Sequence, residues 1–479
     1  MQFNHYPNVS RLLMKLALGV LPILGSEAHA QMNNSNGAFT INSANAASST
    51  NFRDWRSFSQ ALQNVTRNDA GPLFGGAGIS TPIVVNVQSS LTESLPVLFP
   101  QITGSSTTNT ITINGGGNFV AFANTSSTAN KAVISFTGGD FFRIRNLTIR
   151  NTGTVAPWGI WFSNQSNNNL IENCIIEFSA YTSLVTGHGA TATAFINFSA
   201  SEAGTNQTSS VHPGQFDTIR GCTLRTTNTN APGPTFGINI LGSTSVASSV
   251  PTNNTFDRNL IQNFYVNGIM DWYTNGDRII NNDISRVNAG TTLPVNVHMG
   301  IRAEYMYGQG TGSRNFQINN NLIHDLPYNG SSATAGAATP YGIYTLYCYG
   351  ASVSSQSEID GNSIFNLRST TFHYGYFGLY NYRMRITNNT IRNCESGSTS
   401  YSWSMYAYYH FDCNVDNNVI RANRPNSNYR GIHYGYSNGG TCNGNLITDN
   451  ISTSTVNTYY YHYDLDIQYP TNSLIARNQ

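Results

Sequence analysis

The stretch VDNNVI, residues 415–420, decides how this sequence is read. An apolar residue is followed by polar and turn-forming residues, and a second apolar residue stands five positions after the first. The same pattern recurs as IRNLTI at 144, IENCII at 171, IRGCTL at 219, FDRNLI at 256 and IINNDI at 279. It continues as INNNLI at 318, IDGNSI at 359, ITNNTI at 386 and CNGNLI at 442. The starts at 359, 386, 415 and 442 lie 27, 29 and 27 residues apart. Earlier intervals are longer, as an inserted loop on a regular turn would make them. Before most copies stands a second short apolar piece: GIWFS at 159, GINIL at 237, GIMDW at 268, GIRAE at 300, GIYTL at 342, GLYNY at 378, SMYAY at 404 and GIHYG at 431. Two short strands per repeat, with Gly and Asn at the corners and no helical periodicity, describe the coil of a solenoid.

The asparagines have a physical reason. Asn259, Asn282, Asn321, Asn362, Asn389, Asn418 and Asn445 all stand three residues after the first apolar anchor. Asn tolerates the left-handed backbone better than other non-glycine residues, so these positions are expected to form the tight corner. Stacked coil on coil, their amides can bond up and down the pile as a ladder. Leu147, Cys174 and Cys222 fill the slot in the first three copies, which predicts two stacked thiols. Ile475 and Asn478 restart the pattern just before Gln479, so the sequence reads as ending inside a motif, as a truncated piece of a longer protein.

This pattern resembles the pectate-lyase-like right-handed parallel β-helix family, over roughly residues 105–479. The resemblance implies an all-β solenoid whose coils rise about 4.8 Å each, a rod of roughly 50 Å for eleven copies. A solenoid needs its ends capped. Residues 31–104 read as that cap: Trp55, Phe58, Leu62 and Val65 have helical spacing, and PIVVNV and NTITINGGG read as first strands. This order resembles large secreted β-helix proteins of the Bacteroidota, many of which carry a type IX secretion sorting domain at their end. Residues 1–30 read as a signal peptide, with Arg11 and Lys15 before the apolar run Leu16–Leu24 and an A-x-A site ending at Ala30. That run is too short to span a bilayer, and no other stretch is long enough, so a secreted or cell-surface protein without a transmembrane segment is expected.

Composition narrows the partners. Only 10% of the 479 residues are charged, the net charge is +1, and the lysines are Lys15 and Lys131. A nucleic-acid partner needs clustered cations and is not expected. The six cysteines form no CxxC, and they read as buried small hydrophobes rather than a metal site.

Alternation along the second piece gives the outer surface. With the residue after each Gly pointing inward, one outward row reads Trp161, Asn239, Met270, Arg302, Tyr344, Tyr380, Tyr406 and His433. A second reads Trp272, Glu304, Leu346, Tyr382 and Tyr408, while Tyr347, Tyr409, Tyr434 and Tyr436 take the inward parity. Trp272, Tyr344, Tyr380, Tyr382, Tyr406, Tyr408 and His433 are therefore the candidate carbohydrate-binding residues, offering sugars an apolar face and a polar edge. A self-stacking structural ladder is the competing reading. Catalytic sets are thin. GHG at 187–189 resembles one element of the polygalacturonase site, but its companions are missing, and hydrolysis needs two carboxyl groups. Arg302 and Glu304 are the best candidate catalytic pair, for a lyase or glycosidase; a surface salt bridge is the plainer reading. Asp464 and Asp466 in HYDLDIQY offer oxygens for calcium but read better as a solvated strand face, so no cofactor is expected. The sequence favours a non-catalytic glycan-binding or adhesive solenoid, with a polysaccharide-cleaving enzyme or a purely structural rod as alternatives.

Overall fold

The computed structural model describes residues 31–33, 38–179, 189, 191–208, 211–227, 233–244, 252–286, 297–308, 314–326, 339–397, 402–425, 428–451 and 462–479. It is a parallel β-helix. Three long parallel sheets of 15, 14 and 12 strands run the length of the rod. One late coil shows the order: Met384–Thr387 in sheet 1, Thr390–Arg392 in sheet 2, Ser402–Tyr408 in sheet 3, and Asn414–Asp416 back in sheet 1. The first complete coil is Ile83–Val87, Leu91–Glu93 and Val97–Pro100, so the solenoid starts ahead of residue 105.

The six-residue motif is the corner from sheet 1 to sheet 2. Its first anchors stack in register from Ile144 through Ile279 and Val415 to Ile475, and its second anchors from Ile149 to Ile447. The column between them is the ladder. Asn321 Nδ2 donates to Asn362 Oδ1 at 3.0 Å, Asn362 Nδ2 to Asn389 Oδ1 at 2.9 Å, and Asn389 Nδ2 to Asn418 Oδ1 at 3.0 Å. The column runs from Asn259 to Asn478. Each amide also donates to the anchor carbonyl one coil back, as Asn362 does to Ile318. Cys174 and Cys222 replace the amide as donors, reaching the Ile144 and Ile171 carbonyls at 3.6 Å. All six cysteines are free and buried.

One expectation is corrected here. The left-handed residue of the corner is not the ladder asparagine but the residue before it: Arg258, Asn281, Asn320, Gly361, Asn388, Asn417 and Gly444 have φ between 54 and 67°. Turning the chain one residue earlier leaves the ladder side chain facing in, where its amide is buried and fully bonded.

The N-terminal helix is Trp55–Leu62, capped by Asp54, whose carboxylate accepts from the Ser57 N–H. Trp55, Phe58 and Leu62 are buried, while Val65 lies past the helix end and is exposed. Phe58 packs against Phe52 at 5.3 Å and Phe99 at 6.1 Å, so the helix covers the core of the first coil. No helix among the described residues is long and apolar enough to cross a membrane.

Candidate functional site: the aromatic face of sheet 3

Sheet 3 owes its outer face to a repeated glycine. Gly300, Gly342 and Gly375 each stand where a Cβ would meet an inward isoleucine methyl (Ile323, Ile364 or Ile391) at 2.4–2.6 Å and the next coil's backbone oxygen at 2.5–2.7 Å. The glycine shifts the alternation, so the residue before it and the residue two after it both face out. This makes two adjacent outward columns. One stacks Tyr341 on Tyr374 (4.8 Å) and Tyr374 on Trp403 (5.3 Å). The other stacks Tyr344 on Phe377 (5.1 Å), Phe377 on Tyr406 (5.0 Å) and Tyr406 on His433 (4.8 Å). Planes within a column lie within 16° of parallel. Between columns they are nearly perpendicular, 85° for Tyr374 and Phe377.

The strand expected to hold Tyr380 and Tyr382 is Tyr374–Leu379, three residues away from its expected register. Tyr344 pairs with Phe377 and Leu346 with Leu379. Gly375, not Gly378, is the strand glycine. Gly378 instead makes room for Tyr376, whose hydroxyl would lie 2.2 Å from a Cβ there. Tyr376 points inward, with its hydroxyl bonded to Thr345 Oγ1 at 3.0 Å. A shift by an odd number of residues exchanges the two faces. Tyr380 and Tyr382 therefore leave the strand's outward rows for two further columns at its end.

The first of these columns is Tyr273, Tyr305, Tyr347, Tyr380, Tyr409, Tyr436 and Tyr469, all with φ between 48 and 58°. Neighbouring centroids are 4.5–5.3 Å apart. The second is Tyr307, Tyr349, Tyr382 and Phe411, spaced 4.7–5.2 Å. Tyr347, Tyr409 and Tyr436 are thus corner residues, and of the four tyrosines expected inside only Tyr434 is buried. A signal for these columns stood in the sequence: WYTN, EYMY, LYCY, LYNY, YYHF, GYSN and QYPT each place Tyr at the same point after the strand. Aligning on that tyrosine instead of on glycine gives the observed register.

The expected sites fall as follows. Tyr344 and Tyr406 lie in the central outward column, and Tyr408 bridges it to the corner column through Tyr406 (5.4 Å) and Tyr409 (4.5 Å). Trp272 lies at the start of the corner column, 5.3 Å from Tyr273, and packs against a cluster that includes Trp158 and Met270. His433 is buried, stacked on Tyr406, with Nδ1 2.7 Å from Asp466 Oδ2. Burial pulls its pKa down, and Asp466 only partly offsets that. Arg430 reaches the same carboxylate at 3.1 Å. Arg302 donates to Glu304 at 2.8 Å and its guanidinium lies over Tyr344 at 5.8 Å; Glu304 is only 5% exposed. His188 lies outside the described residues. His298, His373 and His410 are buried at separate places, and among the described residues no group of three or more His, Cys, Asp or Glu is placed to hold a metal.

Two consequences follow for chemistry. Parallel rings one coil apart must slip past one another to touch, so each shows solvent an edge and a strip of its face rather than a whole face. Burial raises the Tyr344 and Tyr408 hydroxyls to about 12, so both remain proton donors at neutral pH. The carboxylates in the outward rows beyond Met270 are Glu304 and Asp466, five coils apart in register. That is roughly 24 Å at about 4.8 Å per coil, far beyond the 5–9.5 Å that paired carboxyl groups span in glycoside hydrolysis.

No protein-family model and no curated protein sequence matches the chain. Among solved structures it is similar to the Dettilon tailspike protein (13% identity, 78% of this chain and 62% of that one, TM-score 0.40). It is also similar to PfbA, a surface adhesin of Streptococcus pneumoniae (11%, 75% and 80%, 0.41). A third is a mannuronic acid specific polysaccharide family 6 lyase from human gut microbiota (10%, 87% and 82%, 0.43). The likeness is one of fold. The chain spans less than two thirds of the tailspike's length.

Proposed function

We propose that this is an exported protein of the cell surface or extracellular space whose sheet 3 binds a glycan without cleaving it. The observation that carries the reading is the pair of adjoining ladders: six half-buried rings from three consecutive coils, Tyr341, Tyr374, Trp403, Tyr344, Phe377 and Tyr406. They form a rigid, ribbed apolar surface edged with hydroxyls. Its coil rise of about 4.8 Å is close to the length of one pyranose unit. Rigid aromatics give contact area at little entropic cost, and their hydroxyls can meet those of a sugar. Arg302 is paired with Glu304 and Arg430 with Asp466, so the face favours a neutral polymer. The Arg302–Glu304 pair buttresses the end of the ladder in this reading rather than performing catalysis.

The test is native electrophoresis of residues 31–479 through gels containing neutral polysaccharides, followed by staining for intact polymer. Retardation without clearing is expected. Trp403→Ala with Tyr406→Ala should weaken it at least tenfold, about 1.4 kcal/mol, with the melting transition retained. Clearing around the band would replace binding with hydrolysis or lysis. Migration unaffected by any neutral polymer would leave the ladders a structural device.

A further inference from the structure

The corner between sheets 1 and 2 carries a different chemistry. Glu172 is held between two arginines of neighbouring coils, Arg145 at 2.9 Å and Arg220 at 2.5 Å. Five residues on in each coil, Glu177 lies between Arg150 at 2.7 Å and Arg225 at 3.1 Å. Each triplet has two guanidinium groups for one carboxylate. Arg258 adds a cation that is 66% exposed and, among the described residues, pairs only with its neighbour Asp257. Arg143 bonds the carbonyls of Phe142 and Asn168 at 3.2 and 2.5 Å and has no ion-pair partner among the described residues. On the sheet 1 side, Arg143, Arg145, Arg220 and Arg258 thus set four outward guanidinium groups against two outward carboxylates, Glu172 and Asp257. Asp140 and Asp217 lie behind this ridge, where burial holds both carboxyls above their usual range.

The ridge also has a shape and an aromatic ring. A groove of about 430 Å³ is lined by Glu172, Asn173, Arg220, Gly221 and Arg258. A second, sharing Arg220, is lined by Arg143, Leu170 and Phe216 among others. Phe216 is 44% exposed and sits in the left-handed region at φ 58°. The same left-handed turn stands at this corner in neighbouring coils, at Phe141, Asn168 and Asn253, so the corner fixes the direction of the ring. That turn holds an apolar ring in the groove with the guanidinium groups of Arg143 and Arg220.

We propose that this ridge is a second binding site, separate from the aromatic face, for a linear acidic polysaccharide. Phe216 would pack against a sugar ring. Arg143, Arg220 and Arg258 would take its anionic groups, for which the planar guanidinium fork is well matched. Arg145 and Arg220 stand two coils apart, about 10 Å at the coil rise, the spacing of anions on every second unit of an extended chain. Sharing one carboxylate between two arginines fixes both heads while leaving N–H groups free to turn outward. The composition as a whole conceals this site, because a net charge of +1 averages the ridge with acidic residues elsewhere.

The test uses residues 31–479 in native gels containing carboxymethyl cellulose or hydroxyethyl cellulose, which share a backbone and differ in charge. The wild-type protein should be retarded more strongly by the carboxymethyl polymer, and added salt should remove the difference. Measured against a polymer-free gel, Arg220→Gln with Arg258→Gln should weaken that retention at least tenfold and leave the retardation by the neutral polymer unchanged. Glu172→Gln releases two guanidinium groups and should tighten it severalfold, which guards against a variant that merely misfolds. Trp403→Ala with Tyr406→Ala should leave the charge-dependent part intact, so failure of the aromatic face and failure of the ridge are read separately. Equal retention in both gels, or retention indifferent to the arginine and Glu172 changes, would overturn the proposal.

Discussion

A ladder asparagine does three things at once, and its cost of removal follows from them. Asn362 donates to the Ile318 carbonyl and to Asn389 Oδ1, and its own Oδ1 accepts from the Asn321 backbone and side chain. Asn362→Ala leaves buried donors and an acceptor without partners, each worth about 1–3 kcal/mol. A urea melt should therefore show a loss of at least about 3 kcal/mol. Asp271 presents the opposite case. It is buried, its Oδ1 accepts from Thr274 Oγ1 at 2.6 Å, and its Oδ2 has no partner among the described residues. Burial raises its pKa well above the ordinary carboxylate value, with Asp277 adding to the effect. The folded state therefore holds a proton that the unfolded state releases, and stability falls as pH rises above the unfolded pKa near 4. Asp271→Asn should raise the melting temperature at pH 7 and lose that advantage by pH 3.

Strands in this rod are short, so individual columns carry much of the stability. On sheet 2, His324 stacks on Phe365 at 4.9 Å and lies 3.0 Å from Asp283 Oδ1 and 2.6 Å from Asp325 Oδ2. Burial lowers its pKa, but the two carboxylates outweigh burial and raise it to about 9. A histidine raised in the folded state stabilises fully below its unfolded pKa near 6.5 and loses the contribution as pH rises through 9. His324→Gln should cost stability at pH 6 and little at pH 10, read from melting curves at both. On sheet 3 the glycine column is the sensitive element. A Cβ at Gly375 would lie 2.6 Å from Ile391 Cγ2 and 2.7 Å from the Ser404 carbonyl oxygen. Gly375→Ala should destabilise by about 1–3 kcal/mol, the usual cost of overpacking, and disturb ring stacking above and below it. Near-ultraviolet circular dichroism reads that disturbance directly.

Across the whole molecule each coil packs mainly on its neighbours, so damage should stay local. The helix Trp55–Leu62 closes the first coil through Phe58. Phe58→Ala should cost about 3–5 kcal/mol in the N-terminal coils, seen as faster proteolysis there. Glycan retention by the aromatic face, several coils away, should not change. The two proposed sites occupy different sides of the rod and differ in kind. Sheet 3 is ringed and charge-paired, and the corner of sheets 1 and 2 carries a cationic surplus.

Much of this was legible in the sequence. The solenoid, its anchors, the ladder from Asn259 to Asn445 and the terminal rung at Asn478 all follow from local spacing, because a corner places the same demands on every coil. The faces of Tyr344, Tyr406 and Tyr434 followed as well, but those of Tyr347, Tyr380, Tyr382, Tyr409 and Tyr436 did not. GYFG, residues 375–378, offers two glycines, and only the packed interior shows that Gly378 accommodates Tyr376 while Gly375 carries the strand. In a period of two, choosing the wrong one exchanges inside for outside. The ring geometry and the Arg–Glu–Arg triplets were also beyond the sequence. Both join residues 27 to 48 positions apart, and only the register of stacked coils brings them together.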